Sequence, residues 1–172
     1  MKIILLGYMG SGKSSVGVML SRKLNLPFYD LDEVIIDNAG KSINEIFASE
    51  GAIAFRKMEH DALLSLLDTN EKMVLALGGG TPLYYDHMRL LSKKDNVQTI
   101  YLKSSIASLA ERLKDEREYR PLIASLTKDK LSEFIAKHLF ERSPVYEQAD
   151  LTIVTDDKNI QTITENIVAQ LF

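Results

Sequence analysis

Near the start of the chain, Gly7, Gly10 and Gly12 are spaced around Tyr8, Met9 and Ser11, and Lys13 and Ser14 follow at once. The segment GYMGSGKS, Gly7 to Ser14, satisfies the full phosphate-loop spacing. Glycines at these places permit turns and close backbone approach. Successive amide hydrogens then converge on phosphate oxygens, and the following helix adds its positive end. Lys13 supplies a point charge near the β and γ phosphates, and the Ser14 hydroxyl is an oxygen ligand for magnesium. Gly10, Ser11, Gly12, Lys13, Ser14 and Ser15 are the expected nucleotide-binding residues. A glycine turn without a ligand would use the same residue types. The loop alone also does not separate a kinase from a GTPase, an ATPase or a nucleotide-binding module.

Asp30 and Asp32 alternate around Leu31 in FYDLD. At a strand end, one carboxylate of such a pair can face a metal while the other reaches a substrate hydroxyl. Asp32 as a helix cap is the plainer alternative. LALGGG, Leu75 to Gly80, puts three glycines at another expected strand end, where they either bare backbone donors to a ligand or form a tight turn. ERLKDEREYRPLI, Glu111 to Ile123, is rich in charge and stops near Pro121. It reads either as a mobile cover bringing Arg112, Arg117 or Arg120 toward ATP, or as an exposed helix laced with ion pairs. Arg142, just before Ser143 and Pro144, is most simply a charged residue at a helix end. Facing a carboxylate, it would instead offer bidentate geometry that lysine lacks.

These residues need a scaffold. Apolar segments at Lys2 to Leu6, Met73 to Leu77, Val97 to Leu102 and Leu151 to Val154 have strand length, and Pro27 to Tyr29 is a shorter fifth candidate. Amphipathic stretches of helical length lie between them, an α/β rhythm that predicts parallel strands, helices on both sides, and functional loops at the carboxyl ends of the strands. Ser42 with Glu45 has the form of a capping box that starts a short helix through Phe47. From Ala52, the spacing of Phe55, Met58, Ala62 and Leu66 predicts a second helix with a buried stripe. Arg56 and Glu59 lie three apart beside it, as a surface ion pair would.

With 172 residues, 45 % of them hydrophobic, the chain can bury one substantial core, and no repeat or linker suggests a second domain. The formal net charge of −3 gives no overall basic excess for nucleic acid or anionic membrane, and there is no long basic or aromatic track. No cysteine is available for a disulfide, a thiolate metal site or a nucleophile. His60, His87 and His138 lack a zinc spacing. No run approaches the roughly 18 apolar residues of a membrane span, and the first residues run into glycines rather than completing a signal peptide. A cytoplasmic protein is expected.

Taken in order, GYMGSGKS (7–14), FYDLD (28–32), FRKME (55–59), LGGG (77–80), YRPL (119–122) and ERSPVY (141–146) closely resemble the shikimate kinase family, across most of the chain. The first motif is shared by many enzymes; the later ones narrow the acceptor. The resemblance implies a nucleoside-monophosphate-kinase-like P-loop fold, a three-layer α/β/α arrangement with a five-stranded parallel sheet in order 2-3-1-4-5. It implies a single domain, residues 1–172, with a mobile lid at about 112–124. The implied reaction moves the γ-phosphoryl group of ATP to the 3-hydroxyl of shikimate, with Mg2+ required. In that reading Asp32 binds the acceptor and assists proton removal, and Asp30 and Ser14 organise the metal. Arg56, Arg142, Gly78, Gly79 and Gly80 hold shikimate, and Glu59 orients Arg56. Lys13 and Arg120 stabilise the transferring phosphoryl group, and Arg112 lies against adenine.

The family commonly has Gly-Glu ahead of the Phe-Arg pair; here Gly51 is followed by Ala52, which removes one carboxylate from that helix face. Another small-metabolite kinase, such as a gluconate kinase, and a non-enzymatic nucleotide-responsive module are the competing readings. The FRKME, LGGG and ERSPVY set disfavours the first, and retained acceptor, metal and lid residues disfavour the second. No protein partner is indicated, and a monomer is expected.

Overall fold

The computed structural model describes residues 1–116 and 123–172. Five strands, β1 (Lys2–Leu6), β2 (Phe28–Asp30), β3 (Met73–Ala76), β4 (Val97–Lys103) and β5 (Leu151–Val154), form one parallel sheet in the order β2-β3-β1-β4-β5. This is the expected order. The helices are α1 (Lys13–Leu24), α2 (Leu31–Ala39), α3 (Ile43–Asp68), α4 (His87–Ser92), α5 (Ile106–Lys114), α6 (Lys128–Tyr146) and α7 (Ile160–Leu171), with a short 3-10 turn at Thr81–Leu83.

Every residue of β1 is buried, as the central strand of a sheet covered on both faces must be. Its side chains alternate between two cores. Ile4 and Leu6 join residues of α2, α3, α5 and α6 on one face; Ile3 and Leu5 join residues of α1 and α7 on the other. Lys2, at the start of β1, is the exception in chemistry and not in burial: it is 1 % exposed. Its ammonium donates to the carbonyls of Leu66, Leu67 and Thr69 at 2.6–2.7 Å and so satisfies the free end of α3.

The register brings the functional segments to one edge. Leu5 pairs with Ala76 and Asp30 pairs with Ala76, so the chain leaves β1, β2 and β3 at the same height. The loop after β1, the aspartates after β2 and the glycines after β3 therefore meet. On the opposite side of the sheet, Gly17 lets α1 settle onto β2; a Cβ there would lie 2.3 Å from the Phe28 ring.

Two boundaries differ from expectation. The capping box of Ser42 and Glu45 is present, but the helix it starts continues to Glu50, and α3 then breaks at Gly51 (φ 84°, ψ 174°), a conformation open essentially to glycine alone. The cap of α2 is Asp30, whose side chain accepts from the amide of Asp32; Asp32 is thereby released from the capping task. Of the expected lid at about 112–124, residues 117–122, with Arg117 and Arg120, lie outside the described residues. On its flanks α5 ends at Lys114 and Ile123 is buried in the core.

Candidate active site

A cleft of about 840 Å³ opens at the carboxyl edge of the sheet. Gly10, Ser11, Gly12, Lys13, Ser14 and Ser15 line it together with Asp30, Asp32, Gly78, Gly79 and Arg112. The loop is shaped by glycine: Gly10 has φ 78° and Gly12 has φ 92°, and α1 begins immediately after. Lys13 curls back over the loop, donating to the carbonyls of Gly7 and Tyr8 at 2.9 and 3.0 Å. The buried hydroxyl oxygen of Ser11 has no hydrogen-bond partner, as a loop built to receive an anion would leave it.

The Ser14 hydroxyl donates to Asp30 Oδ2 at 2.7 Å, and Asp30 Oδ1 takes the amide of Asp32. Two hard oxygen ligands thus stand side by side at the loop, the donor set that magnesium prefers. Asp32 points inward from the first turn of α2. Burial, then the neighbouring carboxylates of Asp30 and Glu59, push its carboxyl up to about 6, against the opposing pull of Lys13 and Arg56. A carboxylate so placed is ionised at neutral pH yet has a raised proton affinity, which suits it to accept a hydrogen bond or proton from a hydroxyl.

The triple glycine joins this carboxylate to a basic group. A Cβ on Gly78 would lie 2.9 Å from Thr81 Oγ1, 3.0 Å from Glu59 Oε1 and 3.2 Å from Asp32 Oδ1. A Cβ on Gly80 would lie 2.7 Å from Arg56 Nη2. Close packing against charged side chains, in addition to backbone exposure, is thus what this segment requires of glycine. Arg56 donates to Glu59, and Thr81 Oγ1 donates to the other oxygen of Glu59 at 2.6 Å. Glu59 is 1 % exposed, so this is not the surface ion pair of the plainer reading. The Tyr84 ring lies 4.4 Å from the Arg56 guanidinium carbon and completes its cradle.

Arg142 comes from within α6, whose helix runs on through Pro144 to Tyr146, and not from its end. Its guanidinium lies 5.6 Å from the centre of the Tyr8 ring, in the phosphate loop. Burial pushes the phenols of Tyr8 and Tyr146 up to about 12, with Arg142 pulling the other way in both. Tyr146 donates to the carbonyl of Gly79, and Tyr8 pairs with His138 Nδ1 at 3.1 Å. Arg112, at the end of α5, donates to the carbonyls of Gly10 and Thr155 at 3.2 and 3.3 Å, which holds its planar cation at the rim of the cleft.

Several residues in and around the cleft escaped the sequence reading. Thr81 and Tyr146 follow or end motifs that were read, but their partners are remote in the chain. Lys158 and Asn159, after β5, line the same cleft as Arg112. They stand just past a strand end, the very signal that pointed to the other loops. Among the described residues, no cluster of three or more His, Cys, Asp or Glu side chains is arranged to hold a metal.

The sequence profile of the shikimate kinase family matches residues 9–172. A shikimate kinase from Flavobacterium psychrophilum is 46 % identical over 171 residues, covering 99 % of each chain. Among solved structures, a shikimate kinase from Bacteroides thetaiotaomicron superposes with a TM-score of 0.92 at 32 % identity, covering 99 % of this chain and 98 % of that one. A shikimate kinase from Acinetobacter baumannii in complex with shikimate gives 0.87 at 29 % identity, covering 99 % and 92 %.

Proposed function

The chain belongs to the shikimate kinase family, and from that premise we propose that its cleft carries the γ-phosphoryl group of ATP to the 3-hydroxyl of shikimate, yielding shikimate 3-phosphate and ADP. The observation that carries this reading is the adjacency of three groups. The phosphate loop, the raised carboxylate of Asp32 and the Arg56–Glu59 pair all converge on the Gly78–Gly80 turn.

The amides of Gly10, Gly12, Lys13, Ser14 and Ser15, with Ser11 among them, cradle the phosphates, and Arg112 faces the base. Arg56 and Arg142 grip the acceptor's carboxylate, a planar anion matched by a planar fork. Gly78, Gly79 and Gly80 keep the pocket floor free of side chains, so the ring settles with its hydroxyl against Asp32. Asp32 orients that hydroxyl and takes its proton as the oxygen bonds to phosphorus and the bond to the β-phosphate oxygen breaks. Lys13, and Arg120 from the cover at about 112–124, offset the charge that spreads over the phosphoryl oxygens. Closing that cover excludes water and favours transfer to the acceptor over hydrolysis.

Ser14 and Asp30 would hold magnesium, which would supply positive charge to offset that of the phosphates. Asp30 Oδ1, held by the Asp32 amide, would fix the orientation in which this carboxylate meets the metal. One 172-residue domain acting as a monomer in the cytoplasm, where ATP is supplied, completes the reading. No nucleic acid or membrane has a part in it, and no helix among the described residues is long and apolar enough to cross a bilayer.

The deciding experiment is product identification. Magnesium-dependent ADP formation should rise strongly with shikimate and be accompanied by shikimate 3-phosphate identified by mass; gluconate should not replace it. Binding of both ligands without a phosphorylated product would favour a nucleotide-responsive binding module instead.

A further inference from the structure

Behind the acid-binding side of the cleft lies a chain of hydrogen bonds that the reaction as described does not use. His87 opens α4 and is 0 % exposed. Its Nδ1 lies 2.7 Å from the carbonyl oxygen of Thr81, and its Nε2 lies 2.9 Å from Nδ1 of His60 on α3. A carbonyl only accepts, so His87 carries its proton on Nδ1. Nε2 is then the bare acceptor of the neutral ring, and His60 Nδ1 must donate to it. The two contacts therefore set one tautomer for each imidazole.

The residues that His87 braces are those that hold Arg56. Thr81, its carbonyl taken by His87, turns its hydroxyl to Glu59, and Glu59 receives Arg56. Tyr84, whose carbonyl accepts the His87 amide at 3.1 Å, places its ring against the same guanidinium. Between them, Tyr85 and Asp86 sit in the left-handed region (φ 52° and 54°), unfavourable for residues with a Cβ. Such a turn persists only where its surroundings over-determine it. Here the Tyr85 ring is stacked on His60 at 4.5 Å between centroids and tilted against His87 at 5.8 Å. The strained turn and two of the groups that hold Arg56, Glu59 and Tyr84, are thus braced by one buried imidazole.

We propose that His87 is a positioning residue for Arg56, setting through Thr81 and Glu59 the angle at which the guanidinium meets the acceptor's carboxylate. The inference rests on Arg56 serving that carboxylate, as the functional reading holds. His87 is fully buried and does not line the nucleotide cleft, so its removal weakens capture of the organic acid and leaves nucleotide binding alone.

The test separates the two nitrogens. In His87→Asn, the side-chain amide keeps a donor near the place of Nδ1; His87→Gln keeps only the remote position, and His87→Phe keeps only ring volume. Steady-state rates of the whole enzyme, with shikimate and ATP varied in turn, should give His87→Asn a KM for shikimate within about threefold of wild type, and His87→Gln and His87→Phe a rise of about tenfold. The KM for ATP and kcat at saturating shikimate should stay within about twofold in all three. A merely structural histidine would lower Tm and move both KM values together. Equal KM values for shikimate in the Asn and Phe variants, or an ATP KM that rises in step, would overturn the inference. Should the Phe variant not fold, Thr81→Val against Thr81→Ser decides: the valine must raise the KM for shikimate and the serine must not, and an unchanged valine variant breaks the link. Wild-type protein that yields no phosphorylated shikimate overturns the functional reading and this inference with it; normal wild-type turnover with no Asn–Phe difference overturns this inference alone.

Discussion

Tyr146 Oη donates to the main-chain carbonyl of Gly79, tying the last turn of α6 to the glycine turn after β3 across 67 residues of sequence. Arg142, one turn earlier on α6, sets its positive charge against the same phenol and opposes the rise that burial causes. The hydroxyl is therefore a joint between the helix that carries Arg142 and the glycine turn that packs against Arg56. Tyr146→Phe removes that joint and leaves ring packing against Tyr101 intact. It should lower unfolding free energy by about 1 kcal/mol in urea titration and raise the KM for shikimate more than that for ATP.

Asp32 gives a pH signature. Its carboxyl stands near 6 in the fold against an ordinary 3.8, so the folded protein holds this proton more tightly than the unfolded chain does. The associated stability is fully present below pH 3.8 and is lost as pH rises through about 6. Asp32→Asn removes the penalty. Its stability relative to wild type should grow, between pH 3 and pH 8, by on the order of 3 kcal/mol, read from urea midpoints. The same substitution should cut kcat by at least about a hundredfold. In the wild-type enzyme, kcat/KM should fall on the acid side with a midpoint near 6.

Gly80 has an ordinary backbone (φ −92°), so alanine there is unstrained in itself. Its Cβ would nevertheless stand 2.7 Å from Arg56 Nη2. Gly80→Ala should displace the guanidinium and raise the KM for shikimate by about tenfold, with the KM for ATP unchanged within about twofold in steady-state assays.

Lys2 tests the scaffold apart from the chemistry. Lys2→Met keeps the stem's volume but takes the ammonium from the carbonyls of Leu67 and Thr69 at the end of α3, while that of Leu66 keeps the Thr69 hydroxyl. Stability should fall by about 2–3 kcal/mol in denaturant titration. Both KM values, measured well below the transition, should stay unchanged.

The strands and the loop positions were legible because parallel strands buried on both faces are continuous apolar runs, and β1 and β3 are buried throughout; the strand order came from the family resemblance. Gly7, Gly10, Gly12 and Lys13 announced themselves by spacing, since the left-handed turns at Gly10 and Gly12 leave little choice of residue. Helix ends were harder. Glu45 marked its capping box faithfully, yet the break at Gly51 and the choice of Asp30 over Asp32 as cap depend on where each side chain finds a partner.

Roles decided at a distance were not legible. Arg56 and Glu59 sit three apart, and that spacing suits an exposed pair as well as a buried one; burial under the Thr81–Tyr84 turn settles it. His60 and His87 bear no ligand spacing, and only the tertiary fold, with the 3-10 turn between α3 and α4, puts their nitrogens 2.9 Å apart. The amino-acid order by itself determined the phosphate loop, the sheet and the family, because those depend on backbone conformation and on apolar runs that each segment carries locally. Tertiary packing decided which carboxylate caps, which is pushed up by burial, and which arginine is held at the cleft, because desolvation and hydrogen-bond angle depend on neighbours that the chain supplies from tens of residues away.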